Sequence, residues 1–302
     1  MAKPTATFSI VTPSFNQAAF LEETIKGVLD QAGDFSIQYI VADGDSTDNS
    51  VEIIKKYDQL IRDKKYPLKN SGVDLSWWSH PDGGQSDAIN QGFRKAIGEY
   101  VAWINSDDVY MPGAFAEALK VFRAHPKIGL VYASMEEVDE KGRLVRLQVP
   151  EPFDVRRQIR EGNFVPQPST FMRREALFAV GLLNPKYHYA MDYDLWIRIG
   201  KRYGGIRADG VWSKFRFHPA SKTVLLEKKF WKEVSQISRS HGGRFASPLF
   251  KNHYLARYPH LLANLNRLGR GYLLLKDRRY DEFRHKLHKN IAPGRNKQEP
   301  RP

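Results

Sequence analysis

Glu99-Tyr-Val-Ala-Trp-Ile-Asn-Ser-Asp-Asp-Val-Tyr-Met-Pro112 decides the fold. From Tyr100 to Ile104 the stretch is almost wholly apolar and predicts a buried strand. The strand stops at Asn105-Ser106-Asp107-Asp108, and a helix is expected to restart at Pro112, a residue favoured in a first helical turn. Carboxylates at the carboxyl end of a buried parallel strand lie where open α/β sheets bind their ligands. Such oxygen donors suit Mg²⁺ or Mn²⁺, which commonly sit between one or two carboxylates and substrate phosphates. Asp107 and Asp108 would equally serve as a plain turn and a helix N-cap. On this stretch alone both roles stay open.

Working outward, strand and helix signals alternate. Thr7-Phe-Ser-Ile-Val-Thr12 predicts a first strand ending in Pro13-Ser-Phe-Asn16, and Phe20, Leu21, Ile25, Val28 and Leu29 follow at helical spacing. Gln38-Tyr-Ile-Val-Ala42 predicts a second strand, closed by Asp43-Gly-Asp-Ser-Thr-Asp48, a cluster fit to cap the helix of Val51, Ile54 and Tyr57. Val73–Trp78 predicts a third, followed by the turn His80-Pro-Asp-Gly-Gly84 and a helix from about Gln85 to Ile97. A helix around Ala114–Ala124 and a strand over Ile128–Ser134 complete the series. Repeated βα units with continuous apolar strands predict an α/β fold: a doubly wound, mostly parallel sheet with helices on both faces. The polar ends Pro13–Asn16 and Asp43–Asp45 then share one sheet edge with Asp107, placing groups for a base, a ribose and a metal-held diphosphate together. Neither G-x-x-x-x-G-K-S/T nor G-x-G-x-x-G follows the first strand, which argues against a P-loop ATPase and a Rossmann dehydrogenase.

The 302 residues contain no cysteine, which excludes disulfides, thiolate zinc sites and cysteine nucleophiles. At 41% hydrophobic and 12% aromatic the chain is a folded protein. The N-terminus lacks the apolar core of a signal peptide and no apolar run reaches membrane-span length, so a soluble cytoplasmic protein is the expectation. The formal charge of +13 is uneven: net −5 over residues 1–125 and net +9 over 251–302. An acidic front half prefers a cation, while a basic end meets phosphate-bearing partners or an anionic membrane surface. Net charge alone points to nucleic acid, but the acidic front half and the lack of any recognition motif argue against it.

Five segments, in order, resemble those of family 2 glycosyltransferases with the GT-A fold. They are Ser9-Ile-Val-Thr-Pro-Ser-Phe-Asn16, Val41-Ala-Asp-Gly-Asp-Ser-Thr-Asp-Asn49, Pro81-Asp-Gly-Gly-Gln-Ser-Asp-Ala-Ile-Asn-Gln-Gly92, Trp103-Ile-Asn-Ser-Asp-Asp-Val-Tyr-Met-Pro112 and Met191-Asp-Tyr-Asp-Leu-Trp-Ile-Arg198. The resemblance covers roughly residues 7–222. It implies transfer of a sugar from a nucleotide diphosphate sugar, a UDP-sugar first, to an acceptor hydroxyl with inversion. It also implies a GT-A domain over residues 1–223, with a nucleotide-binding half to about 135 and an acceptor half beyond. Residues 224–302 are expected to form a basic helical region with a tail from about 293.

Residue by residue, the resemblance places Thr12, Pro13, Ser14 and Asn16 along the nucleotide, Asp43 at the base or ribose, and Asp82 in the donor pocket. Asn105, Ser106 and Asp107 occupy the Asp-x-Asp motif, with Asp107 as main metal ligand for Mn²⁺ or Mg²⁺ and Asp108 beside it. Asn105 replaces the first acid of that motif, which removes one negative charge. His218 resembles the histidine that completes the metal site in many GT-A enzymes. A sugar hydroxyl is a poor nucleophile at neutral pH, so inverting transfer needs a carboxylate near it and a cation on the charged leaving group. Asp192 is the expected base, on a helix whose Leu195, Trp196 and Ile199 share its spacing. It stands where the family's Glu-Asp motif has its Asp, with Met191 in place of the Glu. Asp194 is the rival, with a helix-dipole role as its alternative. Arg216 and Lys222 are candidates to steady the diphosphate, and Gln167 and Ser169 to lie beside the donor sugar.

Leu225–Arg239, Phe250–Leu268 and Gly271–His288 read as basic amphipathic helices. They fit a peripheral contact with a membrane surface bearing a lipid-linked saccharide acceptor, or a dimerisation or packing element. The family implies cell-surface polysaccharide or glycolipid assembly. Two alternatives stand beside transfer. A sugar nucleotidyltransferase would carry a Gly-rich, Lys/Arg-bearing loop after the first strand, and Pro13-Ser-Phe-Asn16 is none. A non-catalytic nucleotide-sugar or carbohydrate-binding protein is favoured by Asn105 and Met191, and opposed by Asp107, Asp108 and Asp192.

Overall fold

The structure, a computed structural model, describes residues 6–218 and 227–244. The predicted alternation is present. β1 (Ala6–Ser14), α1 (Ala18–Leu29), β2 (Ile37–Asp43), α2 (Ser50–Arg62), β3 (Val73–Ser79), α3 (Gln85–Lys95) and β4 (Gly98–Trp103) follow one another as βα units. β5 (Val109–Tyr110), α4 (Ala114–Ala124), β6 (Leu130–Val138), β7 (Leu144–Gln148), α5 (Val155–Glu161), a 3₁₀ turn at Gln167–Ser169, β8 (Thr170–Arg173), α6 (Arg174–Val180), α7 (Met191–Tyr203), β9 (Gly205–Arg216) and α8 (Glu227–Ser240) follow. The strands make one sheet in the order β3-β2-β1-β4-β8-β6-β9-β5, with β7 beside β6.

β3, β2, β1 and β4 are parallel, as the apolar strand runs predict. β8 then enters antiparallel between β4 and β6. That strand lies inside Phe164–Phe171 and its continuation, which the two prolines make look like a connector or sheet edge. Pro166 and Pro168 in fact end before the ladder begins, and Thr170–Arg173 are wholly buried mid-sheet. The helix expected at Pro112 starts two residues later, after Gly113 at φ 86°.

Two cores flank the sheet. One packs α1, α2 and α4 around Phe8, Phe115 and Phe171, and the other packs α3, α6 and α7 around Trp103, Phe93 and Trp196. α3 crosses β1 so closely that a Cβ at Gly92 would sit 2.6 Å from Val11 Cγ1. α8 packs on α5 and α7 and buries Val234 and Ile237 completely, so it is part of the second core. Residues 219–226, with Lys222, and residues 245–302, with the rest of the expected appendage and the tail, lie outside the described residues. Among the described residues no helix is long and apolar enough to cross a membrane.

Candidate active site

Parallel register sets the site's floor. Ser14 of β1 lies beside Asp43 of β2, which lies beside Ser79 of β3, all at the carboxyl edge. Asp43 is fully buried and accepts hydrogen bonds from Ser46 N and Oγ (2.9 and 2.6 Å) and from Ser79 Oγ (2.7 Å). Its carboxylate orders the turn after β2. Thr12 is likewise buried, its hydroxyl 3.1 Å from that of Tyr39. Pro13 is buried at the same edge. Ser14 is buried with its hydroxyl unpartnered.

Asn16 is exposed, adopts φ 52°, and accepts from Thr47 N at 2.8 Å, so the loops after β1 and β2 form one wall. The left-handed region tolerates Asn better than most residues. Exposed Phe15 and half-buried Asp82 border Gly44, and Asp82 accepts from Gly84 N at 2.7 Å. These side chains lie together over the carboxyl ends of β1, β2 and β3.

The Asn105–Asp108 turn is the next wall. Asp107 is partly exposed, and its Oδ2 lies 2.9 Å from His218 Nε2, so the turn after β4 and the end of β9 meet. Asp108, expected as a second metal ligand, is instead fully buried. Its Oδ1 accepts from Arg216 N (3.0 Å), its Oδ2 from Asn105 Nδ2 (3.2 Å), and its carbonyl from Thr24 Oγ1 (2.7 Å). Burial, then the charge of Asp107, pushes the Asp108 carboxyl well above its ordinary range. Ser106 is buried between them.

Asn105 is a hub. It accepts from Gln85 Nε2 (2.7 Å) and donates to Asp108 and to Gln167 Oε1 (3.2 Å), while Gln167 donates to Trp103 O (2.8 Å). An aspartate here could donate to neither partner and would face the Asp108 carboxylate, which gives a physical reason for the missing acid. Gln167 thus braces the turn. Ser169 is buried, donating to Ser134 O with Ser213 Oγ alongside. Arg216 is almost buried, its guanidinium reaching Glu23, Asp107 O and Glu140 O.

Asp192 sits in the first turn of α7, half-buried, and accepts from Asn163 Nδ2 at 2.8 Å. Burial pushes its carboxyl up to about 6, against the lowering effect of hydrogen bonds from the Tyr193 backbone and Asn163. Asp194 differs. Burial pushes it up, but His241 (2.9 Å) and Arg198 (2.8 Å) hold it below its ordinary value. Arg198 also donates to the carbonyls of Val180, Gly181 and Leu182, so Asp194 belongs to a brace between α7, α6 and the end of α8.

Two links join Asp192 to the Asn105 turn. Trp196, one helical turn after Asp192, stacks on Trp103, with centroids 5.4 Å apart. Asn163, bonded to Asp192, lies four residues from Gln167, bonded to Asn105, so their Cα atoms are within about 14 Å even if extended. Asn163 and Gln85 are contributors that the sequence did not single out, being amides in ordinary turn and helix-start settings. Glu233 is another, accepting from the backbone N–H groups just before α7.

A curled, mostly parallel α/β sheet with these loops and this acidic turn at its carboxyl edge matches the GT-A fold. The profile of Glycosyl transferase family 2 matches residues 9–181, and the chain belongs to that family. It is 28% identical over 221 residues to an uncharacterized glycosyltransferase of Rickettsia conorii, covering 70% of this chain and 34% of that one. It is 27% identical over 196 residues to one of Mycobacterium tuberculosis, covering 64% and 68%. The chain spans between about a third and two thirds of the length of the Rickettsia relatives. Among solved structures, the Pyrobaculum calidifontis mannosyltransferase in complex with GDP-Man and Mn²⁺ superposes with a TM-score of 0.60 at 18% identity, over 96% of this chain and 86% of that one. S. aureus TarS 1–349 in complex with UDP-GlcNAc does so with a TM-score of 0.58 at 17% identity, over 94% and 80%.

Proposed function

We propose that this glycosyltransferase moves a sugar from a nucleoside diphosphate sugar to an acceptor hydroxyl with inversion, and that Asp192 is the general base. The observation that carries the proposal is Asp192 itself. It is a half-buried carboxylate with raised proton affinity, held by Asn163 and joined through Trp196 and Trp103 to the Asp107 turn. A base whose proton affinity lies near the working pH combines ionisation with driving force for proton transfer.

The exposed wall of Phe15, Asn16 and Asp82 is proposed to take the nucleoside, and the edge of Asp107 and His218 the diphosphate. Asp107 and His218 fit a divalent cation, since a carboxylate oxygen and an imidazole nitrogen 2.9 Å apart suit Mn²⁺ and, less well, Mg²⁺. Among the described residues no third acidic or histidine side chain joins them, so the diphosphate would complete the shell. Such a cation would offset charge on the leaving diphosphate. Asp108 and Arg216 fix the Asp107 backbone, Asn105 holds the turn through its amide, and Asp192 takes the acceptor's proton as the new bond forms. Binding relatives carry UDP-GlcNAc or GDP-Man, which supports a nucleotide-sugar donor and leaves the base to be measured.

A thermal-shift panel of UDP, GDP, dTDP and CDP and their sugars, with and without Mn²⁺, tests the donor site. One nucleotide near a hundred times its Kd should stabilise by about 2.7 kcal/mol. The shift is expected to need Mn²⁺ and to be lost in Asp107→Ala. No shift with any nucleotide would favour a carbohydrate-binding role instead.

A further inference from the structure

Glu233 lies on α8, beyond the residues matched by the family profile and outside every motif above. It is nearly buried, and its carboxylate is ringed by backbone donors. Oε2 accepts from Tyr189 N (2.7 Å), His188 N (3.1 Å) and Ala190 N (3.1 Å), and Oε1 accepts from His188 N (2.9 Å). Three consecutive N–H groups converging on one anion form the lead-in to α7, whose first residue is Met191. The unsatisfied N–H groups and dipole at a helix start favour a negative charge there. Asp192 follows two residues after Ala190.

We propose that Glu233 is a positioning residue for Asp192: by gathering the N–H groups of His188, Tyr189 and Ala190 it fixes where α7 begins, and it sets a second carboxylate near the base. The proposal rests on Asp192 being the base. Its physical content is that two carboxylates share one helix start, one spent on backbone and the other left with a single side-chain partner, Asn163. Like charge nearby disfavours ionisation, and Glu233 acts on Asp192 in that direction.

Other charges around Asp192 are accounted for. On α7, Asp194 is paired with Arg198 and with His241 after α8. On α5, Arg157 pairs with Glu151 and Glu161, while Arg156 and Arg160 are exposed. On α6, Glu175 is exposed, and His188 of the lead-in turns its ring to Tyr189. On β6, Glu137 is paired with Arg146. On α8 itself Lys229 and Lys232 are exposed, which leaves Glu233, among the described residues, as the buried charge of that helix facing this helix start.

Two substitutions separate charge from geometry. Glu233→Gln can keep an oxygen at the Oε2 position, with its three donors, while removing the charge. Glu233→Ala removes the anchor altogether. In the full-length protein, the Asp192 carboxyl is followed by ¹³C NMR on aspartate-labelled samples, its signal assigned by its loss in Asp192→Asn. Nucleotide release from UDP-N-acetylglucosamine or GDP-mannose in the presence of a pool of saccharide acceptors is measured in parallel below each variant's melting transition. We expect Glu233→Gln to move the Asp192 midpoint down by at least about half a unit. We expect Glu233→Ala to cut kcat about tenfold or more with donor KM within twofold. A lowered Tm with unchanged midpoint and kcat in both variants means a merely structural cap and overturns the proposal. If Asp192→Asn itself releases nucleotide at the wild-type rate, the base assignment fails first. A collapse in Asp192→Asn with no effect at Glu233 overturns the positioning role alone.

Discussion

The indole of Trp196 stacks on that of Trp103, with ring centroids 5.4 Å apart and planes at 25°. Both are fully buried. One stands two residues before Asn105 and the other four residues after Asp192, so this contact fixes the separation between the Asp107 turn and Asp192, the proposed base. Trp196→Ala is expected to lower stability by about 3–5 kcal/mol, as large-to-small aromatic changes do. Trp196→Phe should cost less yet still lower kcat, because the helix can shift on a smaller ring. Denaturant unfolding and turnover on the same samples check both, and an unchanged kcat in Trp196→Phe would count against the coupling.

Asp107 and His218 predict a second result. His218→Ala should weaken Mn²⁺-dependent nucleotide binding by about tenfold or more while leaving Mn²⁺-independent binding unchanged, since only the cation's ligand is removed. Titration calorimetry with the best nucleotide, with and without Mn²⁺, reads this. Equal loss in both conditions would mean that His218 serves packing, through its tilted ring contact with Phe20, and not the cation.

Asn105→Asp restores the family's acid and is expected to harm this protein. The change removes donors to Asp108 and Gln167 and sets like charges together. An unmatched buried polar group costs about 1–3 kcal/mol, and that loss should appear in denaturant unfolding. A more stable, more active Asn105→Asp protein would refute the hub role of the amide.

Much of this was legible in the sequence, and the reason for the gaps is physical. Apolar runs ending in polar turns gave β1 to β4 and the shared edge of their polar ends, because a parallel sheet forces that arrangement. β8 was hidden by Pro166 and Pro168, and its four residues are too few to show a period. Aspartates after a strand look alike in sequence, whether exposed like Asp107 or buried like Asp43 and Asp108. Which one faces outward depends on partners such as Ser46, Ser79 and Arg216 from other segments. Glu233 was not legible at all, because its partners are backbone N–H groups 43 to 45 residues away.

Burial raises Asp192 to about 6, and the sign of its effects follows. The ionised form accepts the proton, so kcat/KM should fall as pH drops below about 6. The folded state holds this proton more tightly than the unfolded state, so Asp192 disfavours the fold increasingly as pH rises from about 4 to 6. Asp192→Asn is therefore expected to raise Tm at pH 8 relative to wild type, and to have little effect at pH 4. A lower Tm at pH 8 would show that the ionised carboxylate is stabilising.

The most direct measurement compares wild type and Asp192→Asn for two quantities on one donor nucleotide sugar: its Kd, and its rate of nucleotide release with a pool of saccharide acceptors. A general base at Asp192 predicts a Kd within about twofold and a rate reduced by about 10²–10⁴, the usual worth of such a group. Turnover at the wild-type rate, or loss of donor binding in place of turnover, would contradict it.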